Sequence, residues 1–249
     1  INLNKNIFLN LKVVLVEPKG PINIGSIARL CSNFQVDELI IVSPQCDIYS
    51  LEVKKMALKG QEYLDKCKIF NNLEEAIFDC DLVLGTCGRV ELSKDIVCES
   101  PEDISKWISN YEKIKSLAVL FGREDRGLTN KELLFAHKIF NIQTSKEYPS
   151  LNLSHAVSII LYELSKCATK NVKKDLKIYN LASSKQINES FQELEEMLIR
   201  TGYLFKHTSN AKISKFKKYI LKAKTSSHEI DVLRGIVHQI NWFLNNPKK

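Results

Sequence analysis

The seven cysteines (positions 31, 46, 67, 80, 87, 98 and 167) form no Cys-x-x-Cys, and the five histidines form no His-x-x-x-His. An odd, scattered set of thiols argues against a disulfide framework and for a reducing, cytoplasmic setting. Neither ligand type recurs at metal spacing, so no structural metal is expected. Buried, inert thiols are expected at every position except Cys87, which lies in a motif. No apolar run approaches the roughly 20 residues needed to span a bilayer, and residues 1–12 lack a signal peptide's apolar block and cleavage site. No membrane association is expected. Two glycine pairs, Gly20/Gly25 and Gly122/Gly127, have Walker-A spacing. Ser26 and Leu128 stand where the phosphate-reaching lysine belongs, which excludes that NTPase motif. No Gly-x-Gly-x-x-Gly follows the first apolar run, so a dinucleotide site has no support.

What is present is an ordinary globular composition, 44% hydrophobic and 26% charged over 249 residues, enough for one or two domains. The net charge of +7 is unevenly spread. Residues 1–165 hold 19 Lys+Arg against 22 Asp+Glu, a net of −3, and residues 166–249 hold 17 against 7, a net of +10. A basic last third points to an anionic partner, nucleic acid or membrane, against the plainer reading of a solvated basic face.

Short continuous apolar runs at 13–16, 39–42, 82–84, 117–121 and 139–142, with a weaker one at 68–70, have the pattern of strands buried on both faces. Helical patterns lie between them at 24–34, 50–58, 73–80, 101–111 and 130–137, and a last apolar helix carries Val157, Ile160, Leu161 and Leu164. This alternation predicts βαβ units and a parallel, doubly wound α/β sheet beginning near Lys12. From about residue 165 the pattern becomes purely helical. Residues 166–185 read as a basic linker. Ile187, Phe191, Leu194 and Leu198 share one face of a helix that Gly202 ends. A second helix, 210–224, carries Ile213, Phe216 and Ile220 on one side and Lys212, Lys215, Lys218 and Lys222 on the others. A third starts at Ser226, with Glu229 at capping-box spacing, and places Ile230, Leu233, Val237, Ile240 and Leu244 in one stripe.

Four polar turns, three of them containing glycine, fall at strand carboxyl ends, where open α/β sheets bind ligands. Asn23 is expected to cap the first helix, with Arg29 on that helix's polar side beside Ser26. A guanidinium there suits phosphate and ribose oxygens. Gly122 permits close backbone approach to a ligand, and Glu124 follows it. Thr86, Cys87 and Gly88 end a third strand. Tyr148 to Leu153 follows the last strand, and Ser150, Asn152 or Ser154 can cap the helix after it. Each turn alone is more often structural. Convergence of all four on one sheet edge favours a site.

Three of these segments together resemble the motifs of the SPOUT superfamily of RNA methyltransferases, in its SpoU/TrmH family. The match is carried by Pro21, Asn23, Ile24, Gly25, Ala28 and Arg29, then by Phe121, Gly122, Glu124, Gly127 and Leu128, then by Ser150, Leu151, Asn152 and Leu153. Residues 191–205 and 229–239 resemble the C-terminal extension of the TrmJ-type subfamily. The resemblance implies a methyltransferase domain over 1–165, a linker over 166–185 and a helical extension over 186–249 that binds tRNA or dimerises. It implies a parallel sheet ending in a deep trefoil knot, which no periodicity foretells. It also implies a homodimer whose partner completes each site.

By the same resemblance the cofactor is S-adenosylmethionine, held in a bent pose by Thr86, Cys87, Gly88, Gly122, Ile142, Pro149, Ser150 and Leu151. Cys87 and Gly88 stand where relatives often have Ser and Ala, a difference without consequence if the contacts are main-chain. The implied reaction is methylation of a ribose 2′-hydroxyl at nucleotide 32 of a tRNA anticodon loop. Arg29, Asn23, Glu124, Ser150 and Asn152 form the catalytic set, and Arg29 also contacts RNA. Arg29 as general base is awkward, because a free guanidinium is protonated at any working pH. Clamping phosphate and ribose is its other role. Alternatives are a ribosomal RNA 2′-O-methyltransferase and an RNA-binding protein without catalysis.

Overall fold

The computed structural model describes residues 8–88, 98–108, 114–145, 147–167, 182–222 and 225–246. The chain divides into two compact units, residues 1–178 and 179–249. Among the described residues no helix is long and apolar enough to cross a membrane.

The first unit is built on strands β1 (Phe8–Val16), β2 (Glu38–Val42), β3 (Lys68–Phe70), β4 (Leu82–Cys87), β5 (Ile114–Phe121) and β6 (Lys138–Asn141). They form one sheet in the order β3-β2-β1-β5-β4-β6, with every neighbouring pair parallel. Val13, Val14 and Leu15 are fully buried because helices cover both faces, which is why these strands read as unbroken apolar runs. β1 starts at Phe8, well before the run that marked it. Lys12 hid the extension. It is 2% exposed, and its ammonium donates to both carboxylate oxygens of Asp79, at 2.7 and 2.8 Å.

Helices α1 (Pro21–Asn33), α2 (Leu51–Ala57), α3 (Gln61–Asp65), α4 (Leu73–Ala76), α5 (Ile104–Ile108), α6 (Asn130–Leu133) and α7 (Leu153–Cys167) complete the unit. α4 and α6 are single turns, shorter than the periodicity predicts, since their following residues leave the helix to feed β4 and β6. A 3-10 turn at Pro101–Asp103 opens the segment predicted as one helix from 101, and α5 covers its middle; residues 109–111 of that expectation lie outside the described residues. Gly25 has a packing reason: a Cβ there would sit 2.4 Å from the Val53 carbonyl oxygen, so α1 presses directly on α2.

β6 has an unusual setting. On one side it pairs with β4. On the other, Glu99 N–H donates to the Ile139 carbonyl at 2.9 Å, and Asn141 N–H donates to the Glu99 carbonyl at 3.0 Å. The last strand is thus flanked by β4 on one side and, on the other, by Glu99 from the connection that leaves β4.

The second unit contains α8 (Ser184–Arg200), α9 (Ser209–Lys222) and α10 (Ser227–Asn245). Ser183 with Gln186, and Ser226 with Glu229, form capping boxes at the starts of α8 and α10. Gly202 follows α8 at φ +77°, a conformation that favours glycine. Ile187, Phe191, Leu194, Met197, Leu204, Ile213, Ile230 and Val237 form its core. Phe216 and Leu244, expected in the apolar stripes, are 45% and 36% exposed, and Phe216 meets Phe191 edge-on at 5.9 Å. Most of the expected linker, 168–181, lies outside the described residues.

Candidate active site

Because the sheet is parallel, β1, β5, β4 and β6 deliver their carboxyl ends to one edge, in that spatial order. A cavity of about 850 Å³ opens there, within the size range of small-molecule sites. Its walls include Thr86, Cys87 and Gly88 at the end of β4, Gly122 and Glu124 after β5, and Ile142, Pro149, Ser150 and Leu151 after β6. All eight residues expected to hold the cofactor therefore meet in one place. Leu153 of the third motif adds apolar wall, as do Phe140 and Ala156, which the motifs did not mark.

Glu124 ties two loops together. Its carboxylate accepts from Gly20 N–H at 2.9 Å, from Lys19 N–H at 3.1 Å and from Asn23 Nδ2 at 3.1 Å. It thereby serves the open amino end of α1, where a negative charge is favoured. Asn23 is not the helix cap. α1 begins two residues earlier, with Gly20 in the cap position and Pro21 first in the helix. Freed from capping, Asn23 donates to Glu124, and its Oδ1 accepts from Asn152 Nδ2 at 2.9 Å. Asn152 Oδ1 in turn accepts from Ser154 N–H at 2.8 Å at the start of α7. Glu124, Asn23 and Asn152 form one chain joining three loops.

Burial pushes the Glu124 carboxyl upward, but the donors from Gly20, Asn23 and Lys19 outweigh it and hold the group below the usual carboxylate range. Such a group adds stability above its unfolded value and loses it as pH falls through the lower folded value. The melting temperature of the first unit is expected to drop on acidification from about pH 5 to pH 3, the window set by the unfolded value of about 4.3. Glu124→Gln should flatten part of that slope. An identical pH profile in the variant refutes the linkage.

Arg123, which the motif comparison passed over, is 6% exposed and anchors the loop. It donates to Glu17 at 2.7 and 2.5 Å and to Glu132 at 3.0 Å through each of two nitrogens. The hydrogen bond from Arg123 holds Glu17 below the usual carboxylate range. Thr129 and Glu132 have capping-box spacing, which marks Glu132 in the sequence. Nothing local marks Glu17, 106 residues from Arg123.

Gly122 is required by its own loop. A Cβ would lie 2.1 Å from Gly127 C and Leu128 N, so the glycine admits backbone, with the ligand space beyond it. Gly127 sits at φ +66°, and its N–H donates to the Arg123 carbonyl at 2.8 Å, closing the turn. Gly88 differs, since a Cβ there meets nothing within 4 Å. The last side chains of β4 are held in the sheet: Thr86 Oγ1 donates to the Leu120 carbonyl at 2.8 Å, and Cys87 is 7% exposed. A hydrogen bond with Cys87, then burial, pushes the Cys98 thiol up.

Arg29 is not in this cavity. It is exposed on α1, six residues beyond Asn23 and on the side of the helix that also exposes Ile22. Lys212 and Lys215 are exposed on α9. The side chains of Lys218 and Lys222 lie outside the described residues.

Residues 10–162, nearly the whole first unit, match the SpoU rRNA Methylase family. The chain belongs to that family. Among SpoU relatives, it is 34% identical over 237 residues to the tRNA (cytidine-2′-O-)-methyltransferase TrmJ of Sulfolobus acidocaldarius, covering 93% of this chain and 94% of that one. It is 37% identical over 214 residues to the enzyme of the same name from Methanocaldococcus jannaschii, covering 85% and 87%. The crystal structure of TrmJ from Z. mobilis ZM4 superposes with a TM-score of 0.79 at 27% identity, covering 92% of this chain and 98% of that chain. These SpoU relatives align with both units, so the helical unit belongs to the likeness.

Proposed function

We propose that this chain is a cytoplasmic, homodimeric methyltransferase that uses S-adenosylmethionine to methylate a ribose 2′-hydroxyl of tRNA, at nucleotide 32 of the anticodon loop. The observation that carries the reading is the hydrogen-bonded chain Glu124–Asn23–Asn152 beside a cavity of about 850 Å³ walled by glycine backbone and apolar side chains. The activity for which the TrmJ relatives are named, 2′-O-methylation of tRNA cytidine, supports the tRNA ribose. The narrower target, nucleotide 32, rests on the resemblance of the helical unit to the TrmJ-type extension. The trefoil knot is proposed on family grounds and on the flanking of β6 by β4 and Glu99.

The cavity fits the cofactor: backbone at Gly88 and Gly122 and apolar walls at Ile142, Leu151 and Leu153 suit an adenosine and a methionine chain. The cofactor supplies a methyl group on a positively charged sulfur, with a thioether as the leaving group. The protein's task is to bring the poor nucleophile into line, worth up to about 7–11 kcal/mol, and to give its proton a destination. Glu124, Asn23 and Asn152 fix the loops that shape the site, and Ser150 stands on its wall. Arg29 holds phosphate and ribose oxygens of the RNA. Its exposed position beside Ile22 suits a site completed across a dimer by α1 of the partner subunit.

The lysines of the second unit contribute salt-dependent, largely sequence-independent affinity. Incubation with unmodified tRNA or with ribosomal RNA and labelled cofactor, followed by nucleoside and site mapping, tests the reading. A 2′-O-methyl group at nucleotide 32 of tRNA is the expected result. Label confined to ribosomal RNA overturns the tRNA substrate. Binding of tRNA without transfer to either RNA overturns catalysis. Affinity for tRNA should also fall steeply with salt, each phosphate contact adding up to about −0.9 to the slope of log K against log salt. A flat salt response means the basic unit is not the grip.

A further inference from the structure

The turn between α8 and α9 spends aromatic residues on solvent. Tyr203 is 69% exposed and Phe205 is 62% exposed, while Leu204 between them is 2% exposed, in the core of the second unit. The buried leucine is a fixed point from which its two neighbours project. The backbone around them is held on both sides. Leu204 N–H donates to the Leu198 carbonyl at 3.0 Å, and the Thr208 and Ser209 N–H groups both donate to the Phe205 carbonyl at 2.9 Å. Gly202 at φ +77° sets the entry to the turn. Phe205 stacks with His207 at a centroid distance of 5.9 Å and an interplanar angle of 20°. The Lys212 ammonium lies 5.6 Å from the centre of the Tyr203 ring.

Charge decides what such rings receive. Residues 201–228 contain seven lysines and no aspartate or glutamate. Lys206, next to Phe205 in the chain, and Lys212 and Lys215 on α9 are exposed. Flat π faces pre-positioned beside cations suit a polyanion with unpaired, stackable bases. A purely phosphate-binding surface has no need of the rings. An apolar protein partner is poorly served by a segment so rich in lysine.

We propose that Tyr203 and Phe205 are a stacking platform for unpaired nucleotides of the RNA substrate, with Lys206, Lys212 and Lys215 on the adjoining phosphates. This rests on the proposed reading that the substrate is RNA and adds to it a contact to bases rather than backbone. The helical unit then discriminates RNA with accessible bases from a fully paired duplex, which charge alone does not do.

The test uses the full chain and unmodified tRNA transcript. The double variant Tyr203→Ala, Phe205→Ala should bind tRNA about tenfold more weakly or worse, about 1.4 kcal/mol, with an unchanged slope of log K against log salt. Lys212→Gln should instead reduce that slope by up to about 0.9. Tyr203→Phe with Phe205→Tyr keeps both rings and should bind as the parent does. Calorimetric affinity for S-adenosylmethionine should be the same in all of them. Parental tRNA affinity in the double alanine variant overturns the platform, as does a change in salt slope equal to that of Lys212→Gln. Loss of dimer in sedimentation of the double alanine variant, retained in the parent, makes the rings a protein interface and also overturns it. If the parent chain itself binds no tRNA, the substrate reading fails with it, a result distinguishable from the others.

Discussion

Arg29→Ala is expected to lower turnover by roughly 100- to 10,000-fold, the range seen when a group acting on the reacting proton or its charge is removed. The fold should survive. Arg29 is exposed on α1, and the apolar side of that helix, Ile24, Ile27, Ala28 and Cys31, remains fully buried without it. Affinity for S-adenosylmethionine should hold as well, because the cavity walls do not include this side chain. Arg29→Lys separates the two roles. A lysine keeps the charge but not the planar fork, so recovery of most activity indicates simple charge pairing with phosphate. Continued inactivity indicates a two-pronged grip on phosphate or ribose. Near-parental turnover in Arg29→Ala would remove the residue from the mechanism. If α1 serves the partner subunit's cavity, mixing Arg29→Ala with a cavity-defective variant should restore part of the activity through hybrid dimers.

Gly122→Ala is expected to cost about 1–3 kcal/mol of stability, and more if the loop cannot shift, because the added carbon overpacks a closed turn. The conflict is with backbone, at 2.1 Å from Gly127 C and Leu128 N, so no side-chain rotation relieves it. Moving the turn disturbs Arg123 and Glu124, which lie within it. Affinity for S-adenosylmethionine should therefore fall along with the melting temperature. Gly88→Ala is the control: it also stands on the cavity wall, but a Cβ there meets no atom within 4 Å and should leave folding stability nearly unchanged. Equal melting temperatures for the two variants and the parent would contradict the geometric argument.

The cavity wall was open to sequence reading because it is made at strand ends. Continuous apolar runs locate parallel strands, and parallel strands send their carboxyl ends to one edge. The turns at 86–88, 122–124 and 149–151 were therefore fated to meet wherever the strands paired. Gly202 and the pair Ser226/Glu229 were likewise readable, since helix ends are set by local backbone chemistry. The extent of β1 was not, because a lysine breaks an apolar pattern unless its partners are known, and Asp79 is 67 residues away.

The same limit applies at the site. Capping preference assigns Asn23 to the start of α1, but Glu124 from another loop fills that role and releases Asn23 to join Asn152, 129 residues away. Gly122 is legible as a glycine, but its reason lies in the backbone of Gly127 and Leu128 folding back on it. Arg123 reads as one more charged residue in a polar turn until Glu17 and Glu132 close around it. Strand and helix patterns depend on neighbours within a few residues and are fixed by the sequence alone. Hydrogen-bonded and ionic partners depend on which loops the sheet order places side by side, so the tertiary structure decided them.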